Sequence, residues 1–374
     1  MANETLSKAK EAKNDEFYTQ YHDIEREIEA YLDYDPDVFR GKTVLLPCDD
    51  PEWSNFTRYF AQNFERLGLR KLISTSYAYE SKRIKGPIQL KLFETDFETK
   101  AAQYDPNKTK THGKIFVLTH DKTGDGRINI DDLEWNYLEG DGDFRSEEVT
   151  ELRNEADVIV TNPPFSLFRE FMAWIIDAKK KFLVIGSMNA ITYKEIFPLI
   201  KENKLWLGNG FQSGNAYFRI IGEANYANGV YDENTGLVKF RNCCWMTNLE
   251  HGRRHQPLQL MTWDDNLKYS KHKEIKGKTY VHYDNYDAIE VPYTDAIPSD
   301  YNKMMAVPIS FLDKYCPEQF EILGVTQRND DPYKLKKYSV EQYPNANDLN
   351  ARGVIMVNGI PKSMYARILI RKKQ

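Results

Sequence analysis

Within one stretch of chain, Asp157-Val158-Ile159-Val160-Thr161 forms a β-branched run and stops abruptly at Asn162-Pro163-Pro164-Phe165. Phe165 to Ala178 then has helical character, and Lys181-Phe182-Leu183-Val184-Ile185-Gly186 is a second apolar run ending in glycine. Strand, helix and strand at this spacing predict a parallel pair covered on both faces, because a parallel crossover needs a helix-length connection. The same unit occurs earlier. Thr43-Val44-Leu45-Leu46 is a short apolar run stopped by Pro47, and Phe56, Tyr59, Phe60, Phe64 and Leu67 recur at three- and four-residue spacing up to Gly68. Leu72-Ile73-Ser74-Thr75-Ser76 reads as the strand that follows.

Residues 77–118 break the rhythm and are expected to be an insertion. After about Asn248 the alternation gives way to aromatic-rich, lysine-rich sequence punctuated by proline. A boundary near His251 follows, with a catalytic domain over residues 1–250 and a smaller region over residues 251–374. At 374 residues the chain is long enough for that division. No apolar run approaches a membrane span, and Met1 to Lys13 lacks the apolar centre of a secretory signal, so a soluble cytoplasmic protein is expected. Four cysteines, of which Cys243 and Cys244 are adjacent, make neither a disulfide framework nor a spaced zinc site.

Net charge is −5, but it is unevenly spread. Acidic residues dominate from Asp131 to Val160, whereas Gln327 to Gln374 carries ten Lys and Arg against four Asp and Glu, a local excess that a phosphate backbone could use.

Two prolines directly after a strand turn the backbone out of the sheet and leave nearby carbonyls without ladder partners. The Asn162 side-chain oxygen and the Pro163 carbonyl are therefore candidate acceptors for the two hydrogens of a planar exocyclic amine. Such an amine is a poor nucleophile until its lone pair is drawn out of the ring. Phe165 supplies a flat face on which an extruded base could stack. Asn162, Pro163, Pro164 and Phe165 are thus the expected catalytic group. Alone, the motif fits methylation of any planar nitrogen, in DNA, RNA or a protein glutamine.

Asn162-Pro163-Pro164-Phe165 resembles the catalytic motif of amino-methyltransferases, and its surroundings resemble the EcoRI-type adenine-specific DNA methyltransferases. The resemblance runs through Asn14 to Gln20, Cys48 to Pro51, Gly140 to Ser146, Thr161 to Glu170, Asn189 to Phe197 and Tyr365 to Ile370. It implies a Rossmann-like class I methyltransferase sheet with helices on both faces and a C-terminal target-recognition region. The implied cofactor is S-adenosylmethionine and the implied partner is double-stranded DNA, with methyl transfer to a flipped-out adenine at a specific site by a monomer. Asp49 or Asp50 is then expected to hold the cofactor's ammonium group, with Cys48 and Ser54 in the same loop and Asn162 touching the methyl end. Asp143 and Phe144 match the family's adenine-binding pair, and Tyr18 and Thr19 its N-terminal closing segment.

Two features depart from that pattern. The loop from Pro47 to Asn55 has no glycine, and no acid ends the second strand to grip a ribose, so either a hydroxyl of Ser74 to Ser76 substitutes or Glu80 reaches in. For DNA, the candidates are Arg253 and Arg254 in His251 to His255, and Lys271 and Lys273 in the stretch Lys268 to Lys278 with Tyr269 and Tyr280. Finally, Asp121 to Asp132 imitates an EF-hand loop, with Asp121, Thr123, Asp125 and Asp132 as weak calcium ligands. A strand-like segment precedes it and Asp replaces the usual final Glu, so no metal is expected. A calcium-binding scaffold is the non-enzymatic alternative.

Overall fold

The computed structural model describes residues 18–50, 54–78, 100–128, 130–211, 214–219, 230–327 and 331–373. They divide into two compact units, one of residues up to Asn189 with Leu207–His251, the other of Ala190–Trp206 with the chain from Gly252. Residues 79–99 of the expected insertion, with Glu80, and residues 14–17 and 51 of the resembling segments lie outside the described residues.

The first unit is built on an eight-stranded mixed sheet. Its strands are β2 (Thr43–Pro47), β3 (Lys71–Ser76), β4 (Lys114–Leu118), β5 (Glu134–Tyr137), β6 (Val158–Thr161), β7 (Lys181–Ser187), β8 (Trp206–Leu207) and β12 (Cys243–Thr247), in the order β5-β4-β3-β2-β6-β7-β12-β8. The central four, β3, β2, β6 and β7, are parallel, whereas β4 and β12 run antiparallel to β3 and β7. The sheet is therefore mixed where a parallel one was expected, and the reason is burial. Every residue of β2 and β6 is buried, which requires cover on both faces. In β4, by contrast, burial alternates, the signature of a strand with one face packed. The expected insertion therefore does not reach Leu118, since β4 is a sheet strand.

Helix α1 (Tyr21–Leu32) precedes β2, α2 (Asn55–Gln62) joins β2 to β3, α3 (Glu147–Glu155) precedes β6, and α4 (Phe168–Asp177) joins β6 to β7. Ser54 caps α2, its hydroxyl accepting from the Phe56 amide at 3.1 Å, and Phe56, Tyr59 and Phe60 bury the predicted face. The turn Phe64–Leu67 that follows closes on Gly68, whose φ of 63° is the left-handed C-cap geometry. In α1, the buried Glu27 carboxylate accepts the Asn209 and Gly210 amides at 2.8 and 2.9 Å. Burial pushes its pKa up to about 6 against those bonds.

A second, four-stranded sheet places β1 (Tyr18–Thr19) beside β9 (Ala216–Arg219), then β11 (Leu237–Phe240) and β10 (Tyr231–Asp232). The other unit has its own sheet in the order β13 (Ala288–Glu290), β14 (Met304–Pro308), β18 (Arg367–Lys372), β15 (Phe320–Val325), and a separate hairpin of β16 (Val354–Val357) and β17 (Ile360–Ser363). Its core gathers Tyr283, Tyr286, Ala288, Ala306, Leu323 and Leu369. There Arg367 makes a 2.6 Å ion pair with Glu290, which also accepts from the Tyr283 hydroxyl. No helix among the described residues is long and apolar enough to cross a membrane.

Candidate active site

Strand order departs in opposite directions from β2, toward β3 on one side and toward β6 and β7 on the other. The carboxyl ends of β2 and β6 therefore lie together at the switch point of the sheet, where open α/β sheets bind ligands. The Thr161 hydroxyl, at the end of β6, is 2.8 Å from the Pro47 carbonyl oxygen at the end of β2 and 2.5 Å from Asp49 Oδ2.

Asp49 is the centre of this junction. It is 5% exposed, and its Oδ1 accepts from the Ser54 hydroxyl at 2.6 Å. Its carbonyl oxygen accepts from Thr57, 3.3 Å away, and from Ser74, and those two hydroxyls are 3.0 Å apart. One residue thus ties together β2, α2, β3 and β6. Asp50 is half-buried, and its carbonyl accepts the Ser54 amide at 2.7 Å.

Cys48 explains how the loop turns without glycine. Its φ is 83°, a conformation that costs an L residue about 1–2 kcal/mol. Replacing Cys48 by Gly removes that strain while adding unfolded-chain entropy of about 0.5–1 kcal/mol, so equal or higher thermal stability is expected. Cys48→Val puts a β-branched side chain in the same geometry and is expected to lower stability by about 2 kcal/mol. Thermal melts of the two variants read the difference directly. A lower melting point for Cys48→Gly than for Cys48→Val would contradict the account.

Thr19 also reaches the junction. Its carbonyl oxygen accepts from the Asn55 side chain at 2.8 Å, on the first residue of α2, and β1 pairs Tyr18 and Thr19 with Arg219 and Phe218. The Thr19 and Thr75 hydroxyls are both buried with no hydrogen-bond partner among the described residues. Such groups are costly unless a ligand satisfies them. Thr75 is the penultimate residue of β3, near the strand end where an acid would hold a ribose.

Asn162 follows β6 directly and is half-buried, with Pro163 buried behind it. The Pro164 carbonyl accepts the Leu167 amide at 3.0 Å, so the helix expected from Phe165 opens as a 3-10 turn, Phe165–Leu167, before α4 begins. The Phe165 ring is half-buried with its centroid 6.3 Å from that of Phe240 of β11, and Phe240 meets Phe218 of β9 at 5.6 Å. Through this aromatic chain the Asn162–Phe165 loop touches the sheet that holds Tyr18 and Thr19.

Asp143 lies in the turn against the end of β3. The Asp141 carbonyl accepts the Ala78 amide at 2.8 Å, and Gly142, at φ 84°, leaves room for the Ser76 carbonyl, which a Cβ would meet at 2.5 Å. Burial would raise the Asp143 carboxyl, but Arg145, bonded at 2.9 and 2.5 Å, holds it below the usual carboxylate range. Tyr77 beside it is pushed up to about 12 by burial and by the Asp141 and Asp143 charges. Phe144 touches this cluster through Arg145, whose guanidinium carbon lies 5.5 Å from the Phe144 ring centroid. Its ring is 3% exposed, edge-on to Phe171 and Trp174 of α4 at 5.0 and 5.5 Å.

In the other unit, Arg254 is 6% exposed, with its guanidinium 4.0 Å from the Trp206 ring centroid and 3.2 Å from Asn203 Oδ1. Burial takes it off the surface on which it was expected to meet DNA, because its charge is met by an aromatic face and an amide. Arg253 is half-buried, its charge opposing the burial that raises the Asp313 carboxyl. Lys271 and Lys273 are exposed, and Lys271 pairs with Asp295 at 2.8 Å.

The Asp121 loop spends its carboxylates on its own backbone. Asp121 accepts the Gly124 and Gly126 amides, Asp125 accepts that of Arg127, and Asp132 accepts those of Lys122 and Thr123 together with the Thr123 hydroxyl. No group of three or more His, Cys, Asp or Glu side chains among the described residues could hold a metal ion. β4 precedes the loop where an EF-hand has a helix.

Reading the sequence for motifs missed Thr161, Asn55 and Thr57. Thr161 closes a β-branched strand and Thr57 lies within an amphipathic helix, so neither carries a local signal. The adjacency of β2 and β6 makes Thr161 part of the site, while the packing of α2 against Thr19 and Ser74 brings in Asn55 and Thr57.

Comparison with known proteins gives the same direction. The model of the family described as "Adenine-specific methyltransferase EcoRI" matches residues 5–373. The Type II methyltransferase M.EcoRI of Escherichia coli is 40% identical over 100% of this chain and 97% of its own length. The Type II methyltransferase M.MpnI of Mycoplasma pneumoniae is 31% identical over 99% of this chain and 98% of its own. No solved structure matches. With the Asn-Pro-Pro-Phe loop at the sheet's switch point and a match along nearly the whole chain, this protein belongs to the EcoRI family of adenine-specific methyltransferases.

Proposed function

We propose that the chain is a site-specific DNA adenine methyltransferase, built on a Rossmann-like class I methyltransferase sheet, that acts as a monomer on an adenine flipped out of duplex DNA. The observation that carries this reading is Asn162, placed directly after β6 beside the end of β2. The Asn162 side-chain oxygen and the Pro163 carbonyl accept the two hydrogens of the adenine amine, and Phe165 stacks on the base. As the nitrogen becomes tetrahedral its N–H bonds grow more polar, so acceptors fixed in advance lower the barrier.

S-adenosylmethionine supplies a methyl group on a positively charged sulfur. The pocket's chemistry fits it: two carboxylates, Asp49 and Asp50, face a cationic tail, and the buried hydroxyls of Thr19 and Thr75 await partners. Asp49 organises the loop through Ser54 and Thr161, and either Asp49 or Asp50, neighbours in that loop, meets the ammonium group. Asp143 accepts from the adenine amino group of the cofactor, and Phe144 anchors it by packing on α4. Thr75 takes the ribose-binding place that an acid fills elsewhere. The unit from Gly252 onward is read as the target-recognition region, with Arg253, Lys271 and Lys273 as its candidate contacts.

The test is expression in a host lacking adenine methylation, followed by plasmid sequencing with modified-base detection. N6-methyladenine within one recurring sequence is the expected result. Unmodified plasmid with methylated RNA or with methylated glutamine in protein would favour the other planar-nitrogen substrates.

A further inference from the structure

The β16–β17 hairpin carries its apolar residues where hairpins normally carry polar ones. Val357 pairs with Ile360 across a two-residue turn of Asn358 and Gly359, whose φ values of 51° and 78° suit the type I′ geometry. Ile360 is 69% exposed, and Met356 and Val357 each 42%. Nearby in sequence Leu335, Val340 and Tyr365 are also exposed, so these side chains concentrate in one stretch rather than scatter singly.

The hairpin's own sequence carries charge of one sign, and the carboxylate bonded to it, that of Asp348, sits at Ser363 at its base, where Arg352 pairs with it. No Asp or Glu occurs from Ala351 to Tyr365, whereas Lys362 is exposed and, two residues beyond Ile360 in β17, points to the same face as Ile360 and Val357. Lys337 is exposed as well. Apolar side chains at a rigid tip with a cation set about 7 Å behind them suit entry between stacked bases, with the cation on a phosphate. A membrane or a second copy of the chain would use the same apolar tip and lysine, and the methyltransferase family of the chain is what favours DNA.

Resting on the methyltransferase reading, we propose that this hairpin is a wedge that enters duplex DNA. Val357 and Ile360 occupy the space between bases and offset the stacking lost when the adenine leaves the helix, while Lys362 grips the backbone.

The experiment uses an oligonucleotide duplex containing the sequence found to be methylated, once with thymine and once with an abasic site opposite the target adenine. The double variant Val357→Ser/Ile360→Ser changes exposed side chains only, and its melting point is checked against the parent. If it does not fold, Ile360→Ala alone is measured the same way. Expected is a single-turnover methylation rate at least about tenfold lower on the paired duplex and within about threefold of the parent on the abasic one, where unstacking is already cheap. Lys362→Ala is expected to lower the salt slope of binding by about one.

An unchanged rate on the paired duplex, or an equal loss on both, overturns the wedge while leaving the enzyme intact. So does a parent that sediments as a dimer and a variant that sediments as a monomer, which would make the tip a self-interface. A parent that transfers no methyl group to any DNA overturns the methyltransferase reading instead.

Discussion

Asn162→Ala is expected to lower the rate of methyl transfer to DNA by about 10²–10³-fold while leaving the dissociation constant for S-adenosylmethionine within about threefold of the parent. The magnitude follows from removing one prearranged hydrogen-bond partner of a developing charge, which costs about 2.7–4 kcal/mol in a water-excluded site. Position explains the separation of rate from binding. Asn162 lies beyond the end of β6, whereas the β2–α2 loop proposed to hold the cofactor is tied by the Thr161, Asp49 and Ser54 side chains. The fold should tolerate the change, since Asn162 is half-buried and the chain is held on either side by β6 and by the buried Pro163. Asn162→Asp keeps an acceptor in place and is expected to retain a measurable fraction of the rate. Single-turnover methylation and equilibrium cofactor titration on the same preparations check both halves. Full turnover in Asn162→Ala would remove the residue from the chemistry, and lost cofactor binding would make its role structural.

Much of the catalytic unit was legible because its strands are buried on both faces. A run such as Thr43 to Pro47 has no polar alternation, and Gly68 marks the end of the helical stripe in the left-handed geometry that glycine adopts without cost. The antiparallel flank was not legible, because Ile115, Phe116, Val117 and Leu118 look continuous although burial alternates along them. Backbone geometry was hidden in the same way. Nothing in Pro47-Cys48-Asp49-Asp50 announces a positive φ at Cys48, since tertiary bonds from Thr161 and Ser54 to Asp49 impose it. Long side chains mislead most. Arg254 reads as a surface cation until Trp206 is found against it, and nothing in the sequence shows that Phe144 packs edge-on with Phe171 and Trp174. Charge and aromaticity are properties of the residue, but exposure is a property of the packing.

Asp49 offers the second large effect, because two substitutions separate its charge from its bonds. Asp49→Ala leaves the Ser54 hydroxyl without its acceptor inside the sheet junction, takes one of the two acceptors from the Thr161 hydroxyl and empties the space the carboxylate filled, a loss of about 2–4 kcal/mol. For a unit of this size that lowers the melting point by roughly 5–12 °C. It also frees the β2–α2 loop, so cofactor affinity is expected to fall by at least about 100-fold. Asp49→Asn behaves differently. The Thr161 hydroxyl can give its proton to the Pro47 carbonyl, 2.8 Å away, and accept from the new amide, while Ser54 still donates to the remaining oxygen. The network survives and the melting point should stay within a few degrees, but one negative charge is gone. If Asp50 alone meets the cofactor's ammonium group, Asp49→Asn costs only a few-fold in affinity and Asp50→Asn costs about 10–100-fold, the value of a charge-assisted bond. If Asp49 is the partner, the two results exchange places with no change in either melting point. Calorimetric titration of S-adenosylmethionine against S-adenosylhomocysteine, which keeps the ammonium and loses the sulfonium charge, shows which cationic centre each carboxylate serves: a deficit common to both ligands places the lost carboxylate at the ammonium end.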